Sequence, residues 1–135
     1  MITALDSSVL WAIVKKEAGH EGWIQALLGA AGEGPLVISP VAFAELSPST
    51  ASSDSLLEFL DRLAIGYDPI SPAAAFLAGQ TFKKYRKLGG PREHLVPDFL
   101  IAAHARTQAN RLAAIDRGYL RAWFPDLTLL AAVNG

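Results

Sequence analysis

The chain has 135 residues, 51% hydrophobic and 19% charged, with 12 Lys+Arg against 13 Asp+Glu for a formal net charge of -1. That is the size of one domain, so residues 1–135 are read as a single unit, and the apolar content excludes a disordered chain. With no cysteine, disulfides and thiolate metal sites are excluded, and any metal must sit on oxygen or imidazole. The apolar runs are too short to span a bilayer. The opening Met1-Ile2-Thr3-Ala4-Leu5-Asp6 has neither the basic start nor the long apolar core of a signal peptide, which fits a cytoplasmic protein.

In chain order, Ile2 to Leu5 reads as a short strand that runs into Asp6-Ser7-Ser8, a strand-to-helix junction whose side chains can cap the first helical amides. A helix is expected from Val9 to Glu17, stopped by Gly19, and a second from about Glu21 to Ala31, with Trp23, Ile24, Leu27 and Leu28 at helical spacing. Gly32 to Pro35 reads as a turn. Leu36-Val37-Ile38 is a continuous apolar run, the mark of a strand buried on both faces. Ser39-Pro40 then opens a helix through Glu45 and Leu46, with serine as cap and proline in the first turn. That helix breaks at Pro48, and Ser53 or Asp54 caps another ending near Leu63. Ile65 to Ile70 is a third strand weakened by Pro69. Ser71-Pro72 opens a long helix that ends at Gly89-Gly90-Pro91. Arg92 to Val96 reads as loop, Pro97-Asp98 as the start of a helix to Ala109, and Leu112 to Ile115 as the fourth strand, ending at Asp116. A short helix over Tyr119 to Trp123 and a fifth strand over Leu127 to Leu130 complete the pattern. Strands alternating with helices imply an α/β fold, a parallel sheet with helices on both faces.

Four acids occupy related places in this pattern. Asp6 and Asp116 each follow a strand, Glu45 lies in the helix after the second strand, and Asp98 opens the helix before the fourth. Groups at the carboxyl ends of parallel strands converge on one crevice. Two unit charges about 4 Å apart repel by roughly 4 kcal/mol at an effective dielectric of about 20. Four carboxylates there need a cation, and oxygen ligands without sulfur suit Mg²⁺ or Mn²⁺. Such an ion activates water and neutralises charge on a phosphodiester. Taken singly each acid has a blander role: a helix cap at Asp6, a solvated helix residue at Glu45, a first-turn acid at Asp98, a turn acid at Asp116. Their joint placement carries the functional reading. Setting four of the thirteen acids on a metal leaves nine against twelve basic residues, a mildly basic exterior.

Four segments carry a family likeness: Leu5-Asp6-Ser7-Ser8-Val9-Leu10, Ser39-Pro40-Val41-Ala42-Phe43-Ala44-Glu45-Leu46, Pro97-Asp98-Phe99-Leu100-Ile101-Ala102-Ala103-His104-Ala105, and Leu112-Ala113-Ala114-Ile115-Asp116-Arg117-Gly118-Tyr119. In order and spacing they resemble PIN-domain ribonucleases of the VapC toxin type. The resemblance implies a three-layer α/β/α fold with a central five-stranded parallel sheet. It also implies a metal-dependent endoribonuclease, the toxin of a type II toxin-antitoxin pair, with Asp6, Glu45, Asp98 and Asp116 holding Mg²⁺ or Mn²⁺. The family often carries a hydroxyl two residues before the last acid, where this chain has Ala114. Ser7 keeps a hydroxyl beside Asp6, and Ser7 and Arg117 are the candidates to support the site from behind. The excess of apolar residues is expected to be covered by a small VapB-like antitoxin and a second copy of the chain.

The dense basic stretch Lys83, Lys84, Arg86, Lys87 and Arg92 reads either as an RNA phosphate-contacting edge or as a solvated helix face. His94 and His104 are poor acid-base candidates, since His94 falls in a loop and His104 points away from Asp98 at helical pitch. Trp11, Trp23, Phe76, Phe82 and Tyr85 are expected in the core or against a partner rather than as base-stacking platforms. A signalling receiver domain would need an acidic neighbour to Asp6 and a lysine near the fifth strand, and neither is present. A phosphatase with a nucleophilic aspartate would need a second acid where Ser8 stands. The remaining alternative is a PIN-fold module that binds protein or RNA without cleaving it.

Overall fold

The structure is a computed structural model, described for residues 1–90, 95–115 and 119–134. Five short strands, β1 (Thr3–Leu5), β2 (Leu36–Ile38), β3 (Ile65–Tyr67), β4 (Arg111–Ala113) and β5 (Leu129–Leu130), form one parallel sheet in the order β3-β2-β1-β4-β5. The strands of the middle are apolar because both of their faces are covered: Leu5, Ile38 and Leu112 are 1% exposed or less. The helices are α1 (Ser7–Val14), α2 (His20–Glu33), α3 (Pro40–Leu46), α4 (Ser53–Arg62), α5 (Pro72–Lys87), α6 (Leu95–Gln108) and α7 (Tyr119–Trp123), with a single 3-10 turn at Ser47–Ser49. This is the three-layer α/β/α arrangement expected from the alternation of elements.

Local chemistry sets most of the boundaries. Ser39 and Ser71 each accept the amide of the third residue onward, from Ala42 and Ala74, with proline in the first turn. The cap of α4 is Ser52, not Ser53 or Asp54, because Ser52 and Ser55 satisfy each other's backbone amides in a reciprocal box. Helix α1 stops at Val14, short of Glu17, where Lys16 takes a positive φ of 52°. Helix α2 runs on through Gly32 to Glu33, so the turn expected at Gly32 starts at Gly34. A Cβ at Gly34 would lie 2.0 Å from the carbonyl oxygen of Met1, so the chain crosses there only because the residue is glycine.

Two further departures follow from backbone hydrogen bonding. Strand β3 ends at Tyr67, before Pro69 removes a ladder donor. Helix α6 begins at Leu95, inside the segment read as loop, because a proline at the third helical position lacks only an amide that would have no intrahelical partner. Strands β4 and β5 are likewise shorter than the apolar runs that signal them.

Helices α5 and α6 form an antiparallel pair. At one end the Ser71 amide donates to Gln108 Oε1 at 2.8 Å. Toward the other, the Tyr85 ring meets the fully buried Phe99 edge-on at 5.6 Å. Phe99 also touches Phe82, Trp123 and Phe124, so one aromatic cluster fixes the first turns of α6 against α5 and α7. Farther down α6, the buried His104 bonds through Nε2 to Asp68 at 2.8 Å, and Gln108 donates to the same carboxylate. This polar staple ties the exit of β3 to α6.

Candidate metal centre

The chain moves outward from β1 through β2 to β3, then returns to the far side of β1 as β4. The reversal between β1 and β4 is a topological switch point, where a crevice opens at the carboxyl ends of the strands. A crevice of about 400 Å³ lies there, bounded by Asp6, Ser7, Ser8, Glu45 and Asp98, with Trp11 and Ile115 on its walls. Three of the four acids marked in the sequence thus share one hollow. Asp116 lies outside the described residues, as do Arg117, Arg92 and His94.

Each acid is delivered by a separate element. Asp6 is the first residue past β1, and its amide bonds to the Ala113 carbonyl of β4 at 2.9 Å. It stands at the cap position of α1 with an extended backbone, yet its side chain makes no capping hydrogen bond. The carboxylate is instead bound by the Ser8 hydroxyl through Oδ2. Ser8 also accepts the Ile115 amide at 3.4 Å, which links the ends of β1 and β4 across the crevice. The helix-cap role open to Asp6 in the sequence is therefore not the one its side chain plays.

Glu45 projects from α3 on the exposed side of the crevice. The hydroxyl of the buried Ser7 donates to its Oε1 at 3.0 Å. Ser7, expected to lend its hydroxyl beside Asp6, has that hydroxyl on Glu45 instead. Asp98 is half-buried in the first turn of α6, held there by Phe99 beneath it. A carboxylate in the first turn is favoured by the positive end of the helix.

The donor set is all oxygen, from carboxylates and hydroxyls, which fits a hard divalent cation and not a thiophilic one. Among the described residues, no three acids or histidines are close enough together to hold an ion without further ligands. Ala114, where the family resemblance led to the expectation of a hydroxyl, is buried at 4% exposure and offers no oxygen to the site.

Lys83, Lys84, Arg86 and Lys87 are exposed near the carboxyl end of α5, the end of the helix pair that also carries Asp98. None of the four borders the crevice. Arg86 spends one donor on the Gly90 carbonyl at 2.6 Å, closing the end of α5. Besides its apolar lining, the crevice includes Trp11 and Ser8, to which the sequence reading gave no role in the site. Spacing alone offered a signal, since Trp11 follows Asp6 by five residues and Ser8 by three on α1.

On the other side of α1 the surface is apolar. Leu10, Ile13, Val14, Ile24, Leu28 and Leu63 border a narrow groove of about 150 Å³ between α1, α2 and α4. Leu28 is 69% exposed and Val14 54%. A second hollow of about 430 Å³ adjoins it, bordered by Trp11, Val14, Leu46 and Phe59. Among the described residues, no helix is long and apolar enough to cross a membrane.

The family model described as PIN domain matches residues 3–123. No protein of curated function matches the chain by sequence. Solved structures similar to it include VapBC2 from Rickettsia felis bound to a DNA fragment from its promoter, at 21% identity and a TM-score of 0.73, covering 98% of this chain and 99% of that one. VapBC-1 from nontypeable Haemophilus influenzae is similar at 17% identity and a TM-score of 0.70, covering 96% of each chain. DNA-bound VapBC from Salmonella typhimurium is similar at 17% identity and a TM-score of 0.65, covering 97% of this chain and 98% of that one.

Proposed function

The chain belongs to the PIN-domain family, and on that premise we propose that residues 1–135 form a single-domain, metal-dependent endoribonuclease, the VapC-type toxin of a toxin-antitoxin pair. The observation that carries this reading is the convergence of Asp6, Glu45 and Asp98 on one crevice at the β1/β4 switch point. The withdrawal of the Asp6 carboxylate from its helix cap supports it. With Asp116, these acids are the ligands for Mg²⁺ or Mn²⁺. Bound there, the metal would activate water and neutralise charge on a phosphodiester of RNA.

The protein's own groups act by position. Ser8 holds the Asp6 carboxylate in the crevice, and Ser7 does the same for Glu45. Both hydroxyls donate to carboxylate oxygens, which helps to orient these side chains toward the crevice. The buried Phe99 fixes the turn that carries Asp98. Ile101, Leu112 and Leu120 form an apolar floor that limits water beneath the acids. Arg117 steadies the phosphate, and Lys83, Lys84, Lys87 and Arg92 guide the RNA backbone toward the crevice.

The apolar groove between α1, α2 and α4 is the seat for the antitoxin. Its support is the exposure of Leu28 and Val14 and the pairing of the similar solved structures as VapBC complexes. A homodimer and a cytoplasmic location complete the proposal.

The test is cleavage of labelled structured RNA by purified protein with Mg²⁺ or Mn²⁺, with chelator, and by the Asp98→Asn variant, alongside calorimetric Mn²⁺ binding. Metal-dependent cleavage lost in the variant is the expected result. Neither cleavage nor metal binding would leave a PIN-fold protein-binding module.

A further inference from the structure

We infer that Trp11 is a nucleobase-stacking wall of the crevice, on which a base next to the cleaved bond of a single-stranded RNA lies flat. The inference rests on the nuclease reading above and names how that site would grip its substrate. Trp11 borders the same 400 Å³ hollow as Asp6, Glu45 and Asp98. It lies five residues beyond Asp6 on α1, about 7 Å along the axis at 1.5 Å per residue.

The three tryptophans differ in surroundings. Trp23 is buried at 7% exposure. Trp123 sits in the aromatic cluster, 5.4 Å from Tyr85 and 6.4 Å from Phe99. Trp11 is half-buried and packs partly against the core, and among the described residues it meets no other aromatic ring. Its one ring partner there is a cation: the ammonium of the exposed Lys15 lies 4.7 Å from the ring centroid.

An indole with a lysine ammonium over its ring, in the same crevice as three acids, combines the two elements of single-strand recognition: the ring is there for a base once the mobile, exposed lysine swings to the phosphate, and the lysine supplies a positive charge for the backbone. Stacking tolerates any base, so this wall supplies affinity and register rather than sequence choice. A core role would bury the ring as Trp23 is buried. A role only in partner docking is the competing one, since Trp11 also borders the second apolar hollow.

The experiment uses the full chain carrying Asp98→Asn, in chelator and without any partner protein, so that RNA stays intact and cleavage is not the readout. A short single-stranded RNA of mixed sequence is titrated in, and tryptophan fluorescence and affinity are both recorded. The parent should show quenching. Trp11→Phe should lose the quenching and bind within about threefold, while Trp11→Ala should bind about tenfold more weakly, in line with the loss of one base–aromatic stack. An abasic nucleotide walked along the RNA should erase the difference between parent and Trp11→Ala at one position. A difference that persists at every abasic position, or Trp11→Ala binding as tightly as the parent, would overturn the stacking role and leave the nuclease reading standing. RNA bound by none of these proteins, the unsubstituted chain included, would overturn both.

Discussion

Helix α1 separates two surfaces of opposite chemistry. At its amino end is the crevice, where hydroxyls orient Asp6 and Glu45, Asp98 stands beside them, and a buried apolar floor lies beneath. Along its flank is the groove, where Leu28 and Val14 face solvent with nothing polar between them. In the crevice the polar atoms are positioned and the space is open. In the groove the apolar atoms are open and lack a cover. The oxygen-lined crevice suits a hard cation and the hydrocarbon-lined groove suits an apolar surface, so the two flanks of one helix differ in the chemistry they can recognise.

The sharpest way to break the pairing of these surfaces is at the acids. Asp98→Asn or Asp6→Asn should lower metal-dependent RNA cleavage by a factor of a thousand or more, an order-of-magnitude expectation for removing a ligand of a catalytic metal, while circular dichroism stays native. Next in size is the groove. Leu28→Glu should weaken binding of a co-expressed antitoxin about thirtyfold or more, the effect of losing an interface anchor of about 2 kcal/mol. Cleavage by the free protein should be unchanged, and thermal unfolding should move little, since Leu28 is exposed. Loss of cleavage in that variant would show that the two surfaces are not separable.

A smaller effect sharpens the comparison within the crevice. Ser7→Ala removes the hydroxyl on Glu45, a hydrogen bond to a charged group worth about 1.5–3 kcal/mol. Cleavage should fall about tenfold or more, and the apparent affinity for Mn²⁺ measured by calorimetry should fall with it. The smallest expected effect is at the basic end of α5. Lys83→Ala and Lys87→Ala together should weaken RNA binding only a few-fold at low salt and lessen its dependence on salt by up to two phosphate contacts. An unchanged salt slope would assign those lysines to a solvated helix face.

The sequence reading located all five strands, most directly at β1 and β2, where a short apolar run ends at Asp6 and at Ser39. It matched β2 at Leu36–Ile38 but overran others, since hydrogen-bonded pairing ends at Ala113 within Leu112 to Ile115 and begins only at Leu129 within Leu127 to Leu130. It placed α7 at the observed bounds but began α6 too late, giving Pro97 more power to exclude helix than it has in a first turn. Asp6, Glu45 and Asp98 were legible as a group because their places relative to the strands depend only on topology. The hydrogen bond from Ser7 to Glu45 was not, since the partners lie 38 residues apart and nothing local signals it. The same holds for His104, whose doubted catalytic role is replaced by a staple to Asp68 across 36 residues. Trp11 was placed among core or partner-facing aromatics because helical spacing reports which side of α1 a residue occupies and not what hollow lies beside it.

The uncapped start of α1 has a consequence for any effort to harden this protein. An aspartate at the cap position ordinarily adds about 1 kcal/mol to a helix, and here that gain is forgone because Ser8 draws the carboxylate aside. A residue that restored the cap would raise the melting temperature while emptying the crevice of an acid. On the proposed reading, position 6 is thus a place where thermostability and nuclease activity pull on the same side chain in opposite directions. Selection for stability alone would be expected to erase the function there first.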